Sequence, residues 1–184
     1  MELIGMYFVA CGLLAAAGVA KAFRPTDTAR ALTSIVPLPL ARMRVAIRCG
    51  AVAEAILGVV ALLVPRTVTA GLVGLSYVAF AGVVAYARST GGAIASCGCF
   101  GKPDTPATMV HLVINVGLAA SAFAVAAARP VGSLASVLSA QPGKGIPLVI
   151  ASSLCAWLVY LAISVLAEVT AARRLTAVTF RGKG

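Results

Sequence analysis

Four stretches of this chain, Leu3 to Ala20, Thr67 to Ala87, Thr105 to Ala128 and Gly145 to Ala167, contain no Asp, Glu, Lys or Arg. Each is long enough to cross a bilayer, which takes about 20 apolar residues. A fifth candidate runs from about Met43 to Val64 and is apolar apart from Arg44 and Arg48 near its start and Glu54 in its middle. Strands of a membrane barrel would alternate apolar and polar residues, and no such alternation is present. A soluble fold is excluded by composition: 61% of residues are hydrophobic and 11% charged, against roughly 45–50% and ~25% in globular chains. The sequence therefore predicts an all-α integral membrane protein with five transmembrane helices. The first segment is expected to be a retained helix and not a cleaved signal peptide, because the only charge before it is Glu2 and its flanking cations, Lys21 and Arg24, come after it.

Five crossings place the N-terminus, the turn at Arg66 and the loop from Arg129 to Lys144 on one side. The opposite side receives Lys21, Arg24, Arg30, Arg42, Arg44, Arg48, Arg88, Lys102, Arg173, Arg174, Arg181 and Lys183, twelve cations against three. The positive-inside rule assigns that side, with the C-terminus, to the cytoplasm of a multi-pass plasma-membrane protein. The net charge of +10 is then explained by topology and by anionic headgroups of the lipid bilayer. Nucleic acid is not an expected partner, since no basic surface is interleaved with aromatics.

Pro65-Arg66-Thr67 is a short connection that predicts an antiparallel hairpin of the second and third spans. In the first loop, Thr26 or Asp27 is placed to cap a short helix with Ala31, Leu32 and Ile35 on one face, ended by Pro37 and Pro39. Such a helix suits the headgroup layer, although a simple polar loop fits nearly as well. Small residues mark the helix contacts. Ala46, Gly50, Glu54 and Gly58 recur every four residues in the second span, and Gly12, Ala16 and Ala20 do so in the first. These stripes are expected to let helices approach closely, with Glu54 facing protein.

Of five cysteines, Cys11, Cys49, Cys97, Cys99 and Cys155, only two are close in sequence. They form Ser96-Cys97-Gly98-Cys99-Phe100-Gly101 before the fourth span. Two thiols separated by one residue reach disulfide geometry only through a tight turn, for which Gly98 supplies the backbone freedom. A ring so closed is strained and labile, suited to exchange, and Arg88 and Lys102 favour the attacking thiolate. Two other readings stay open: a plain turn of small residues, and a soft-metal site with His111 as third ligand. A closed structural zinc site would need a second cysteine pair, which the sequence lacks. His111 and Asn115 share a helix face, with His111 about two turns below this loop, and His111 is either a helix-to-helix hydrogen-bonding group or a proton carrier. Glu54, an ionisable residue near the midplane, is either functional by default or a packing lock. Cys49 enters its span from the side of the Cys-Gly-Cys loop, placed for a later relay contact. Cys11 and Cys155 are expected to act as small hydrophobes.

These features together resemble the MauE branch of the DoxX-like membrane proteins. The resemblance rests on Ala17-Gly18-Val19-Ala20-Lys21-Ala22-Phe23-Arg24-Pro25, on Glu54 followed by Gly58, on Cys97-Gly98-Cys99-Phe100-Gly101 and on Asn115, and covers roughly residues 3 to 128. It implies a four-helix transmembrane bundle over residues 1–128, with a connector, fifth helix and basic tail over 129–184. It also implies disulfide handling with a thioredoxin-like partner, as in maturation of methylamine dehydrogenase, with Cys97 and Cys99 as the redox pair. An exported thioredoxin-like partner needs the face opposite to the one the charge count selects.

The function expected from the sequence is membrane thiol-disulfide exchange at Cys97 and Cys99, supported by Glu54 and His111. The alternative is a non-catalytic accessory subunit packed against a larger membrane complex. No quinone, haem or nucleotide motif is recognisable, so no cofactor is implied.

Overall fold

The computed structural model describes residues 2–33, 36–89, 108–128, 147, 149–159 and 161. Every element among them is an α-helix: α1 (Glu2–Phe23), α2 (Pro25–Thr33), α3 (Leu40–Leu63), α4 (Thr67–Ser89) and α5 (Met109–Ala127), followed by a short apolar helix, α6 (Val149–Val159). In hydrocarbon each backbone N–H and C=O must be satisfied within its own segment, which leaves a continuous apolar run no alternative to helix. Four of these helices, α1, α3, α4 and α5, are long and apolar enough to cross a membrane. The described part of the fifth expected crossing, α6, covers about half of the ~20 residues that a span requires.

The four spans close into a ring in the order α1, α3, α4, α5, with the most extensive packing between α1 and α3 and between α4 and α5. The short turn after α3 makes α4 its antiparallel neighbour, as its length predicts, and Thr69 stitches it: the hydroxyl accepts from the Arg66 N–H and donates to the Val64 carbonyl, each at 2.9 Å. Packing between α3 and α4 is nevertheless slight, and the main partner of α3 is α1.

The small-residue stripes needed correction. A Cβ on Gly18 would lie 2.6 Å from Ala51 O and Ala55 N, and one on Gly58 would lie 2.7 Å from Cys11 O and Ala15 N. Only glycine permits this backbone-to-backbone contact. Gly12 and Gly50 face open space, and Ala16 and Ala46 are exposed. The reason is phase: a repeat of four advances 400° at 3.6 residues per turn, so it drifts by about 40° per step off the contact line. The buried line of α3 instead runs Met43, Ala51, Gly58, Ala61.

Tyr7, Leu14, Val73 and Val84 are the largest fully buried apolar side chains. Two tyrosines satisfy their hydroxyls on neighbouring backbones, Tyr77 donating to Ala10 O at 2.7 Å and Tyr7 to Ala61 O at 3.4 Å. The outward faces, with Val52, Ile56, Val59, Leu75, Val113 and Val116 exposed, are apolar as lipid requires. α6 packs on the core through Ala156 and Val159.

The short helix of the first loop also forms, but it begins at Pro25, with only Arg24 between it and the end of α1. Proline suits the first helical position because its missing N–H would have had no partner there. Thr26 and Asp27 therefore fall inside the first turn, not at the cap. α2 rests on α3, with Ala29 fully buried.

Candidate functional site

The Gly18 contact with Ala51 and Ala55 sets the register of α1 against α3. Lys21 lies one helical turn beyond Gly18 on α1, and Glu54 lies between Ala51 and Ala55 in the sequence of the antiparallel α3, so that register lets the long lysine side chain reach the carboxylate. Lys21 Nζ forms an ion pair with Glu54 Oε2, and the two side chains are 7% and 22% exposed. The ammonium also stands 4.4 Å from the centre of the Phe80 ring on α4, a cation–π contact that compensates part of its lost hydration. Two full charges are tolerated at this depth because they neutralise each other.

On α5, His111 and Asn115 are both buried and share a face, as their spacing predicts. Thr108, at the helix start, places its hydroxyl 2.7 Å from His111 Nδ1. Asn115 Nδ2 donates to the His111 carbonyl at 2.7 Å. Lys21, Tyr77, Phe80, His111 and Asn115 line one cavity, floored by Leu13, Leu14, Ile114 and Leu118. About 30 Å3 of it is open to water-sized groups.

Glu54 and His111 thus both face other helices of the bundle: Lys21 pairs with Glu54 and lines the same cavity as His111. Sequence reasoning counted Lys21 among the cations that mark topology. It is buried and paired, which leaves eleven cations on that side, and the bias survives. A signal was present: one lysine and one carboxylate stand next to glycine-rich stretches of two spans, and opposite charges inside a membrane seek each other. Phe80 and Tyr77 carried no such signal.

Cys97 and Cys99 lie outside the described residues, as does the metal alternative that depends on them. Their segment joins Ser89 at the end of α4 to Thr108 at the start of α5. Of the other thiols, Cys11 is buried, whereas Cys49 and Cys155 are exposed.

A bundle of four spans is the architecture that the earlier resemblance implied, and a protein-family comparison decides it: the model described as methylamine utilisation protein MauE matches residues 2–129. The chain belongs to the MauE family. The match runs from the start of α1 to just beyond α5, so the four-span ring is the MauE portion of this multi-pass membrane protein and α6 lies outside it. No curated protein and no solved structure matches the chain.

Proposed function

We propose that this MauE-family chain is a membrane thiol-disulfide protein in which Cys97 and Cys99 exchange electrons with a thioredoxin-like or other membrane-associated partner, in the methylamine utilisation for which its family is named. One observation carries the reading. The segment with the closely spaced cysteine pair is attached, through Thr108, to the helix that carries His111 and Asn115, which line one cavity with Lys21, itself paired with Glu54. Polar groups buried in a membrane bundle mark functional sites, and here His111 lies within a turn of the loop anchor and Asn115 about two turns from it.

In the exchange, a thiolate of one cysteine attacks a sulfur of the partner's disulfide, forming a mixed disulfide and releasing the partner's other sulfur as thiolate. The second cysteine then attacks the mixed disulfide, so Cys97 and Cys99 end oxidised and the partner ends as a dithiol. Two electrons pass to the partner, and the reverse sequence oxidises it. Glu54 and His111 support the loop from below.

Maleimide labelling of native membranes before and after mild reduction tests this. Cys97 and Cys99 should change state with redox conditions, and Cys97→Ser or Cys99→Ser should trap a mixed disulfide with the partner. A pair that stays reduced in every condition, with neither variant trapping anything, sinks the exchange reading.

The accessory-subunit reading has an observation of its own. α6 lies outside the family match and exposes Ile150, Leu154, Trp157 and Leu158. A stoichiometric complex from native membranes in which Cys97→Ser has no phenotype would favour it. For topology, the eleven remaining cations favour a cytoplasmic C-terminus if the chain crosses five times. A C-terminal tag cut by external protease on intact protoplasts would overturn that orientation.

A further inference from the structure

The cavity between α1, α4 and α5 has a composition that loop support alone does not require. Its accessible 30 Å3 has room for about two waters. Of the three donors on the Lys21 ammonium, one serves Glu54, and the Phe80 ring covers another side. The rest of its donor capacity meets the cavity that it lines. Asn115 gives one amide hydrogen to the His111 carbonyl and keeps its second hydrogen and Oδ1. The Tyr77 hydroxyl is committed to Ala10 O. His111 has Nδ1 at Thr108 Oγ1, which leaves Nε2 as the ring nitrogen for the cavity.

We propose that this cavity is a water-holding proton-exchange site in which His111 takes up and returns a proton at Nε2. Thr108 suits the cycle, because its hydroxyl oxygen can accept from an Nδ1–H whether the ring is neutral or protonated. Nε2 then gains or loses its proton with no rearrangement of Thr108. The charges facing the ring suit it as well. Lys21 from α1 is neutralised by Glu54 from α3, and α4 contributes only the committed Tyr77 hydroxyl and the Phe80 ring. A proton on His111 therefore adds one charge to a locally neutral site.

The geometry of this inference rests on the described helices alone, and its purpose rests on the thiol-disulfide reading. Exchange with a partner is proton-neutral overall, yet the attacking thiol must lose a proton before attack, and the leaving sulfur gains one afterwards. A buried group that holds that proton for the interval matches both steps. General acid-base assistance of this kind contributes about 10²–10⁴-fold.

His111 is the single histidine of the sequence, so 15N-histidine labelling of the full chain in liposomes yields one imidazole without assignment. Solid-state NMR should show that ring titrating reversibly, with a cross-peak from Nε2 to water. Glu54→Gln and Asn115→Leu should each move the midpoint, and Val113→Ala on the lipid face should leave it in place. A ring that does not titrate, or that has no water contact, overturns the site.

The role is read separately from the rate at which dithiothreitol reduces the oxidised chain. His111→Gln should slow exchange about 10²-fold near neutral pH and flatten its pH profile, and added imidazole should restore His111→Ala. Exchange in His111→Gln with the wild-type pH profile overturns the role. Absence of any exchange in the wild type overturns the thiol-disulfide reading instead, and the titration alone then decides the site.

Discussion

Along α1 and α3 the backbones themselves touch, whereas along α4 and α5 a side chain intervenes. Gly18 and Gly58 sit against main-chain atoms of the opposing helix at 2.6–2.7 Å from where a Cβ would be. On α4, Gly74 would place its Cβ 2.9 Å from the ring of Phe123 on α5, an obstacle that can rotate or shift. The first pair also carries the Lys21–Glu54 ion pair. The second carries His111 and Asn115 and is joined in sequence by the segment that contains Cys97 and Cys99. A rigid pair thus fixes the charges, and a pair with side-chain latitude flanks the segment proposed to react. The lesson is that glycine in a membrane helix has no single meaning: what lies opposite decides whether it is required.

The sharpest way to break the contrast is to strip the α1–α3 seam of its charge balance. Glu54→Leu leaves Lys21 as an uncompensated buried cation and should cost about 3–5 kcal/mol, seen as loss of folded protein in detergent unfolding and low abundance in membranes. Glu54→Gln keeps polar contact with Lys21 and should be milder. If both variants match wild type in abundance and activity, the pair holds neither packing nor chemistry.

Gly58→Ala comes next. The added methyl meets backbone that cannot give, so α1 and α3 must separate, at about 1–3 kcal/mol. Gly74→Ala should fall at or below the lower end of that ~1–3 kcal/mol range, because the Phe123 ring can yield. Equal losses at the two positions would erase the distinction between the seams. The smallest effect is expected at Gly12 and Gly50, which meet nothing within 4 Å. Alanine there should be neutral or stabilising by up to roughly 0.5–1 kcal/mol, the helix-propensity gain. A marked loss at Gly50 in native membranes, without loss in detergent, would reveal a partner helix on that face.

Much of this architecture is legible in one dimension. Uncharged runs identify the crossings because lipid tolerates neither bare backbone nor unpaired charge, and that physics acts on each segment separately. The hairpin at Pro65 followed from its length, and the shared face of His111 and Asn115 from helical spacing. The Cys-Gly-Cys spacing, Glu54 and the family were likewise readable from residue types and their order.

Which small residues touch could not be read in the same way. Gly12 and Gly18 are indistinguishable as glycines, and only the rotation and crossing of α1 on α3 turned one toward Ala51 and the other toward open space. Lys21 was ambiguous for the same reason. A lysine at the end of a span either reaches the headgroups or folds back onto a neighbour, and its fate depends on whether that neighbour presents a carboxylate at the matching depth. The amino-acid sequence by itself determined a helical membrane chain with a closely spaced cysteine pair in the segment before its fourth span. The tertiary structure alone decided that Lys21 pairs with Glu54 and lines one cavity with Phe80, His111 and Asn115, because that requires the phases of four helices to be set against one another.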